Sequence, residues 1–338
     1  MESFEENEYT PESILEFEEI EIDVLPAKSI SEDYTQSANS LFHFMKKEKY
    51  LKDALSNKAL IPRYCKENIT YLNIQQNKVI FDEIAVLQKC FCDIHLHKLS
   101  TNFELILTKE SESKLDEKEI LGLSKNNSHP DYYGNFAIGF FKGWCENHNL
   151  QPIHYLNEKS NYTKNLSKVT SGILSSANAT KRTTHDTLYR LALTKPLRGE
   201  MKRLYEQNGN NIELTVLKNF HDEREWRYIP DQAKIDRLKK AREYKVESII
   251  ANPKLLKSEN VNYFLDSQSA NIEDKQNDEL WLKFEYSDIR YLIVPNDQAR
   301  LNLIEHILSI PDIYFSGKHG KNLLISKILN LNEIKKDW

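Results

Sequence analysis

Two glutamates two residues apart raise the question of chemistry. Glu223 and Glu225 lie in the segment His221-Asp222-Glu223-Arg224-Glu225-Trp226-Arg227-Tyr228-Ile229-Pro230. Side chains alternate along an extended strand, so the two carboxylates share one face while Arg224 and Trp226 take the other. A pair of acids is costly to bury unless cations or hydrogen-bond donors meet it. Such a pair could stabilise the oxocarbenium-like charge that builds when an N-glycosidic bond breaks, with the second acid orienting or deprotonating an acceptor. The same pattern also describes a strand whose acids simply pair with neighbouring Arg or Lys.

Other residues have suitable chemistry. His43, inside Ser40-Leu41-Phe42-His43-Phe44, is either a core histidine bonded to a backbone carbonyl or a contact for a ribose hydroxyl. Tyr133, just before Gly134, is either surface packing or a ring on which a planar nicotinamide stacks. Cys90, Cys92, His95 and His97 are of metal-ligand type. On one regular strand, however, the cysteines face one side and the histidines the other, so a tetrahedral site needs a bend. The expectation is no metal, with these cysteines, Cys65 and Cys145 as reduced thiols.

The elements that must position these residues follow from periodicity. Helices are predicted over 47–59, 165–193, 232–244 and 299–309, and strands over 40–44, 90–94, 136–140, 152–156, 246–250, 281–286 and 288–294. Residues 82–88 read as a helix or loop, 109–129 as a large polar surface loop, and 266–278 as a second loop. Short strands scattered among helices, with no regular alternation, indicate an α+β fold. A chain of 338 residues, 40% of them hydrophobic, can bury a large core. Glycine-rich phosphate loops, dinucleotide-binding fingerprints, H-E-x-x-H and G-x-S-x-G are absent from the sequence, which disfavours kinases, P-loop ATPases, Rossmann enzymes and α/β-hydrolases. With no membrane-length apolar run and no signal-like N-terminus, a cytoplasmic location without membrane partners is expected.

Charge is uneven. Residues 1–33 hold twelve acids and one base, Lys28, a net −11, which leaves +6 for the rest of a chain whose total is −5. Residues 1–38 therefore read as an acidic leader. It is either a solvated tail or a segment that docks on the basic body or on a partner through Phe4, Tyr9, Ile14, Leu15, Phe17, Ile20 and Ile22.

Five blocks carry a resemblance: Leu41-Phe42-His43-Phe44, Cys90-Phe91-Cys92-Asp93-Ile94, Tyr133-Gly134-Asn135-Phe136-Ala137-Ile138-Gly139-Phe140, Glu223-Arg224-Glu225-Trp226-Arg227-Tyr228 and Asp288-Ile289-Arg290-Tyr291-Leu292-Ile293-Val294. From about residue 40 to the C-terminus they look like the AbiGi family, named for an antitoxin-type component of bacterial abortive phage resistance. Their order is also similar to ADP-ribosyltransferases. That resemblance implies one ADP-ribosyltransferase-like domain over residues 39–338, with split mixed sheets and flanking helices. It implies NAD as substrate, His43 as the ribose contact, Tyr133 beside the nicotinamide, Glu225 as catalytic acid and Glu223 as the acceptor-activating residue. The function expected is a phage-defence effector that transfers ADP-ribose from NAD to a nucleic acid or a protein. The alternative is a non-catalytic antitoxin or interaction module that keeps the fold and engages a protein encoded by a neighbouring gene.

Overall fold

The computed structural model describes residues 37–76, 78–242, 247–251 and 275–337. The chain divides into two units, residues 1–34 and 35–338, and everything below concerns the second. The acidic leader, apart from its last two residues, and most of the 266–278 loop lie outside the described residues.

The elements that build and frame the site are, in chain order, β1 (Ser40–Met45), α1 (Glu48–Asn57), β2 (Arg63–Asn68), β3 (Glu83–Cys92), α2 (His129–Tyr133), β4 (Phe136–Phe141), β5 (Gln151–Pro152), β6 (His154–Leu156), α3 (Asn161–Ser175), α4 (Lys181–Ala192), β7 (Thr194–Pro196), β8 (Arg198–Gln207), β9 (Asn210–Asn219), β10 (Glu225–Tyr228), α5 (Gln232–Arg242), β11 (Ile249–Ala251), β12 (Ile289–Val294), α6 (Asp297–Ser309) and β13 (Ile328–Asn330). Among the described residues, nine strands form the main sheet in the order β13-β12-β4-β1-β3-β10-β5, with β2 and β11 flanking the first half of β3. The sheet is mixed: β12 and β13 run parallel, and the other neighbours are antiparallel. With helices on its flanks this is an α+β fold, as composition and pattern indicated, and all five sequence blocks contribute strands to this one sheet. Of the four smaller sheets among the described residues, two bear on the site, the parallel pair β6–β7 and the hairpin β8–β9, which Ile106–Leu107 extends.

β3 corrects the helix-or-loop expectation over residues 82–88. Its apolar run is buried on both faces: Ile84 and Val86 pack with Leu188 and Leu191 of α4, while Ala85 and Leu87 pack with Ile235 and Leu238 of α5. A continuous apolar run is what a strand covered on both sides requires, at about 1.5–3 kcal/mol for each large aliphatic side chain buried. Residues 109–129 are likewise not a loop. They form helices Lys109–Glu112 and Glu117–Lys125, and then the start of α2. A capping box closes the second helix: the Glu119 amide donates to Asp116 at 2.8 Å, and the Asp116 amide donates back to Glu119 at 2.9 Å.

The β8–β9 hairpin, ten residue pairs long, was not anticipated. Its turn, Asn208-Gly209, has φ of 52° and 80°, the pair of positive angles a two-residue type I′ turn needs. The start of the body is held as well. The buried Lys142 ammonium donates to Asp93 at 2.6 Å and to the Ser37 hydroxyl at 2.8 Å, while Asp93 accepts the Ala38 amide at 3.0 Å.

Gly134 ends α2 and turns the chain into β4 with φ of 120°. A Cβ there would lie 2.1 Å from the Met45 carbonyl oxygen, so both backbone and space demand glycine. Gly134→Ala is expected to cost about 3 kcal/mol or more, read as a lower urea midpoint at unchanged m-value.

Candidate functional site

The register of the sheet sorts the predicted residues. Phe42 and Glu225 both lie opposite Cys92, so these three side chains share one face. His43, Phe91 and Trp226 occupy the other. His43 therefore points away from Glu225. Its ring packs on Phe91 at 5.5 Å, and its Nδ1 lies 2.8 Å from the Cys90 carbonyl. Burial, helped by Lys89, brings its pKa down to about 3 even though the carbonyl contact opposes the shift, so the ring is neutral.

Glu223 and Glu225 do come together, though not by simple alternation. Glu223 closes a 3-10 turn, Phe220–Glu223, and Arg224 takes a left-handed conformation with φ of 43° before β10 begins at Glu225. Both carboxylates reach Lys195 of β7, whose Nζ donates to Glu223 at 2.7 Å and to Glu225 at 3.1 Å. Beyond Glu225 lies Arg227, fully buried. Its Nε donates to Glu225 at 2.7 Å, and its Nη2 pairs with Glu67 of β2 at 3.0 Å. Beyond Glu223 lies Lys218 of β9, 2.9 Å from the Glu223 carboxylate and 2.9 Å from the Tyr133 hydroxyl. Tyr133 in turn donates to Glu223. The Lys218 ammonium also sits over the rings of Phe103, Tyr132 and Tyr133 at 4.9, 4.5 and 4.6 Å.

The result is one largely buried chain of alternating sign, Glu67–Arg227–Glu225–Lys195–Glu223–Lys218, with three acids and three bases, of which Glu67 and Lys195 are half-buried. It joins β2 and β10 of the main sheet to the parallel pair and to the hairpin. Burial by itself would raise the Glu223 carboxyl, but Lys195 and Lys218 outweigh it and bring the pKa to about 2. At Glu225, too, burial opposes ionisation, and Arg227 with Lys195 reverses it and holds the carboxyl far below the usual range. Lys195 shows the converse balance: burial lowers it, and Glu225 and Glu223 carry it above the ordinary lysine value. At Lys218 burial wins over Glu223, and the pKa falls. A general base works best when its pKa lies near the working pH, so carboxylates held this low and saturated with donors are poor proton acceptors.

Thus Glu223, Glu225 and Tyr133 meet, and His43 stands apart on the far face. The residues do not fit an NAD laid between His43 and Glu225, because the sheet itself separates them. Cys90 shares the Glu225 face, where burial first and Glu225 second push its thiol up, while His95 and His97 stack on each other at 5.4 Å. Among the described residues, no group of three His, Cys, Asp or Glu side chains is placed to hold a metal ion, and no helix is long and apolar enough to cross a membrane.

Sequence reasoning missed Glu67, Lys195, Lys218 and Arg227. One of the four was legible: Arg227 stands two residues after Glu225, so the alternation that aligned the acids also placed a cation on their face. The other three are distant in sequence.

Fold and site define an α+β protein whose densest charge cluster is buried and neutralised from within. Comparison then gives the family. A family model described as "abortive phage resistance protein AbiGi, antitoxin" matches residues 121–295. A protein of Lactococcus lactis subsp. cremoris, "Abortive phage resistance protein AbiGi", is 33% identical over 286 residues, which is 83% of this chain and 100% of that protein. The chain belongs to the AbiGi family. No solved structure matches it. These findings overturn the expectation of an NAD-dependent ADP-ribosyltransferase: the family is described as an antitoxin, and the geometry gives Glu225 ion-pair partners and no cofactor-side partner in His43.

Two outcomes follow for stability. Glu225→Gln leaves the buried Arg227 with Glu67 alone of its two carboxylate partners and is expected to cost about 3 kcal/mol in urea unfolding, the lower end for breaking a buried pair. Against pH, the unfolded chain takes up protons on His43 and His129 near 6.5, whereas both folded rings resist them until about 3. Stability therefore begins to fall below pH 6.5 and continues down to about 3. The contribution of Glu223 is complete above pH 4.5 and disappears as the pH drops towards 2. A urea midpoint that stays flat from about pH 7 to pH 3 would refute this assignment.

Proposed function

We propose that this protein is the antitoxin-type component of an abortive phage-resistance system, a non-catalytic module that binds and restrains a partner encoded by a neighbouring gene. Membership of a family described as an antitoxin carries the reading. The site is consistent with it, since each carboxylate that looked catalytic from sequence is engaged by an internal cation. A stiff body is of use to such a module, because surfaces that are already ordered lose less entropy on binding. The ionic chain supplies stiffness by tying three sheets together. We place the binding body in a single domain from residue 39 onward, with the acidic leader over residues 1–38 as a polyanionic segment that engages the partner. The ADP-ribosyltransferase-like form of the fold has no part in this reading.

Co-expression tests it. The partner alone should arrest growth, the pair should restore it, and the two proteins should co-purify. Deleting residues 1–38 should weaken the complex. Unrelieved growth arrest with no recoverable complex would refute the assignment.

A further inference from the structure

The helical pair α3–α4 has a composition unlike the rest of the chain. Residues 159–185 contain five bases (Lys159, Lys164, Lys168, Lys181 and Arg182) and no acid, in a chain with 51 acids. The stretch also carries other polar groups, exposed Asn161, Asn165 and Ser176 among them. α3 buries Thr163, Thr170 and Leu174, and Leu174 packs with Leu188 and Leu191 of α4. Its opposite face carries Tyr162, Lys164, Asn165, Lys168 and Val169, all exposed. Lys164 and Lys168 are one turn apart, about 6 Å along the axis, and have no ion pair among the described residues. An open groove of about 720 Å³ runs along this face, lined by Asn165, Lys168, Val169, Gly172, Ile173 and Ser176. At Gly172 an added Cβ would meet nothing within 4 Å, so the backbone is open to a close approach there.

Across the short connection that follows α3, the first turn of α4 adds Lys181 and Arg182, with side chains 80% and 92% exposed. Their acid neighbours are loose: Glu247 lies 3.8 Å from Lys181, and Asp186 lies 3.9 Å from Arg182. Contacts this exposed are worth little and yield easily to a stronger anion.

We propose that the outer face of α3, continued by the start of α4, is a nucleic-acid contact surface that grips the sugar–phosphate backbone. Lysine, hydroxyl, amide and tyrosine donors are the groups that bind phosphate oxygens. Acids are absent across these 27 consecutive residues, so within the stretch the attraction of the bases for a polyanion meets no opposing carboxylate. A protein partner fits the face less well. Protein–protein interfaces are depleted in Lys and Ser and enriched in aromatics, Met and Arg, whereas this face offers lysines and serines around two large exposed apolar side chains, Tyr162 and Val169. The surface lies apart from the ionic chain, and its use does not depend on how the toxin partner is bound.

The test uses the full chain and fluorescence anisotropy with a random-sequence duplex of about 20 base pairs and its separated strand. If Lys164, Lys168, Lys181 and Arg182 each meet a phosphate, the logarithm of the duplex binding constant should fall against the logarithm of salt with a slope of about −3.6. That is about a hundredfold loss of affinity between 50 and 200 mM. The double variant Lys164→Gln/Lys168→Gln should make that slope shallower by about 2, with an unchanged thermal midpoint because both side chains are exposed. The neighbouring-gene partner is tested with the same variant, and a retained complex alongside lost nucleic-acid binding is the expected pattern. No binding of either probe at low salt would overturn the proposal, as would binding that the double variant leaves unchanged. Loss of the partner complex without any nucleic-acid binding would overturn it too and would assign the face to protein.

Discussion

Six charges drawn largely out of water in one run are tolerable only if their signs alternate and their sum is zero. An isolated buried ion costs several kcal/mol, and a pair recovers that cost only with good geometry and further hydrogen bonds. Here Glu225 and Glu223 each lie between two cations, and Lys195 and Arg227 each lie between two anions. The ends are finished differently. Glu67 accepts from Gln88 at 2.8 Å, and Lys218 ends in a cage of three rings. Each end thus has its charge answered, Lys218 in a buried cage and Glu67 where its side chain is still 17% exposed.

Much of the surrounding architecture can be understood as meeting that demand. The left-handed Arg224 is the step that brings Glu223 and Glu225 to one ammonium. The parallel pair β6–β7 presents Lys195, and Tyr155 of β6 accepts the Glu225 amide at 2.8 Å. Gly134, by turning the chain at the end of α2, leaves Tyr133 aimed at Glu223. The hairpin is separate from the main sheet in its backbone pairing, yet Lys218 fastens it to the segment that leads into β10.

How much of this was legible differs by element. β1, α1, β4, α6 and β12 follow from local periodicity, and the structure has them within a few residues of expectation. β3 was misread because an apolar run covered on both faces lacks the alternation that marks a half-buried strand. The hairpin carried its own sign, Asn208-Gly209, between runs whose exposed face is too polar to stand out. The capping box at Asp116 and Glu119 was readable as well, but it was hidden in a stretch whose charge suggested a loop. At the site, the two acids were visible and their meaning was not. An acid pair reads alike whether it awaits a substrate or is paired with Lys195 and Lys218, and those partners arrive only through the tertiary fold.

The alternating chain also constrains how this protein can drift over generations. A single exchange at Glu225, Lys195 or Glu223 passes through an ancestor whose largely buried run no longer sums to zero, so the favoured paths change neighbours together or replace the group wholesale with apolar residues. The lysines on the outer face of α3 carry no such linkage, and a lineage could lose or regain them one at a time. Interior and surface would then diverge at different tempos, the first in coordinated jumps and the second by gradual adjustment.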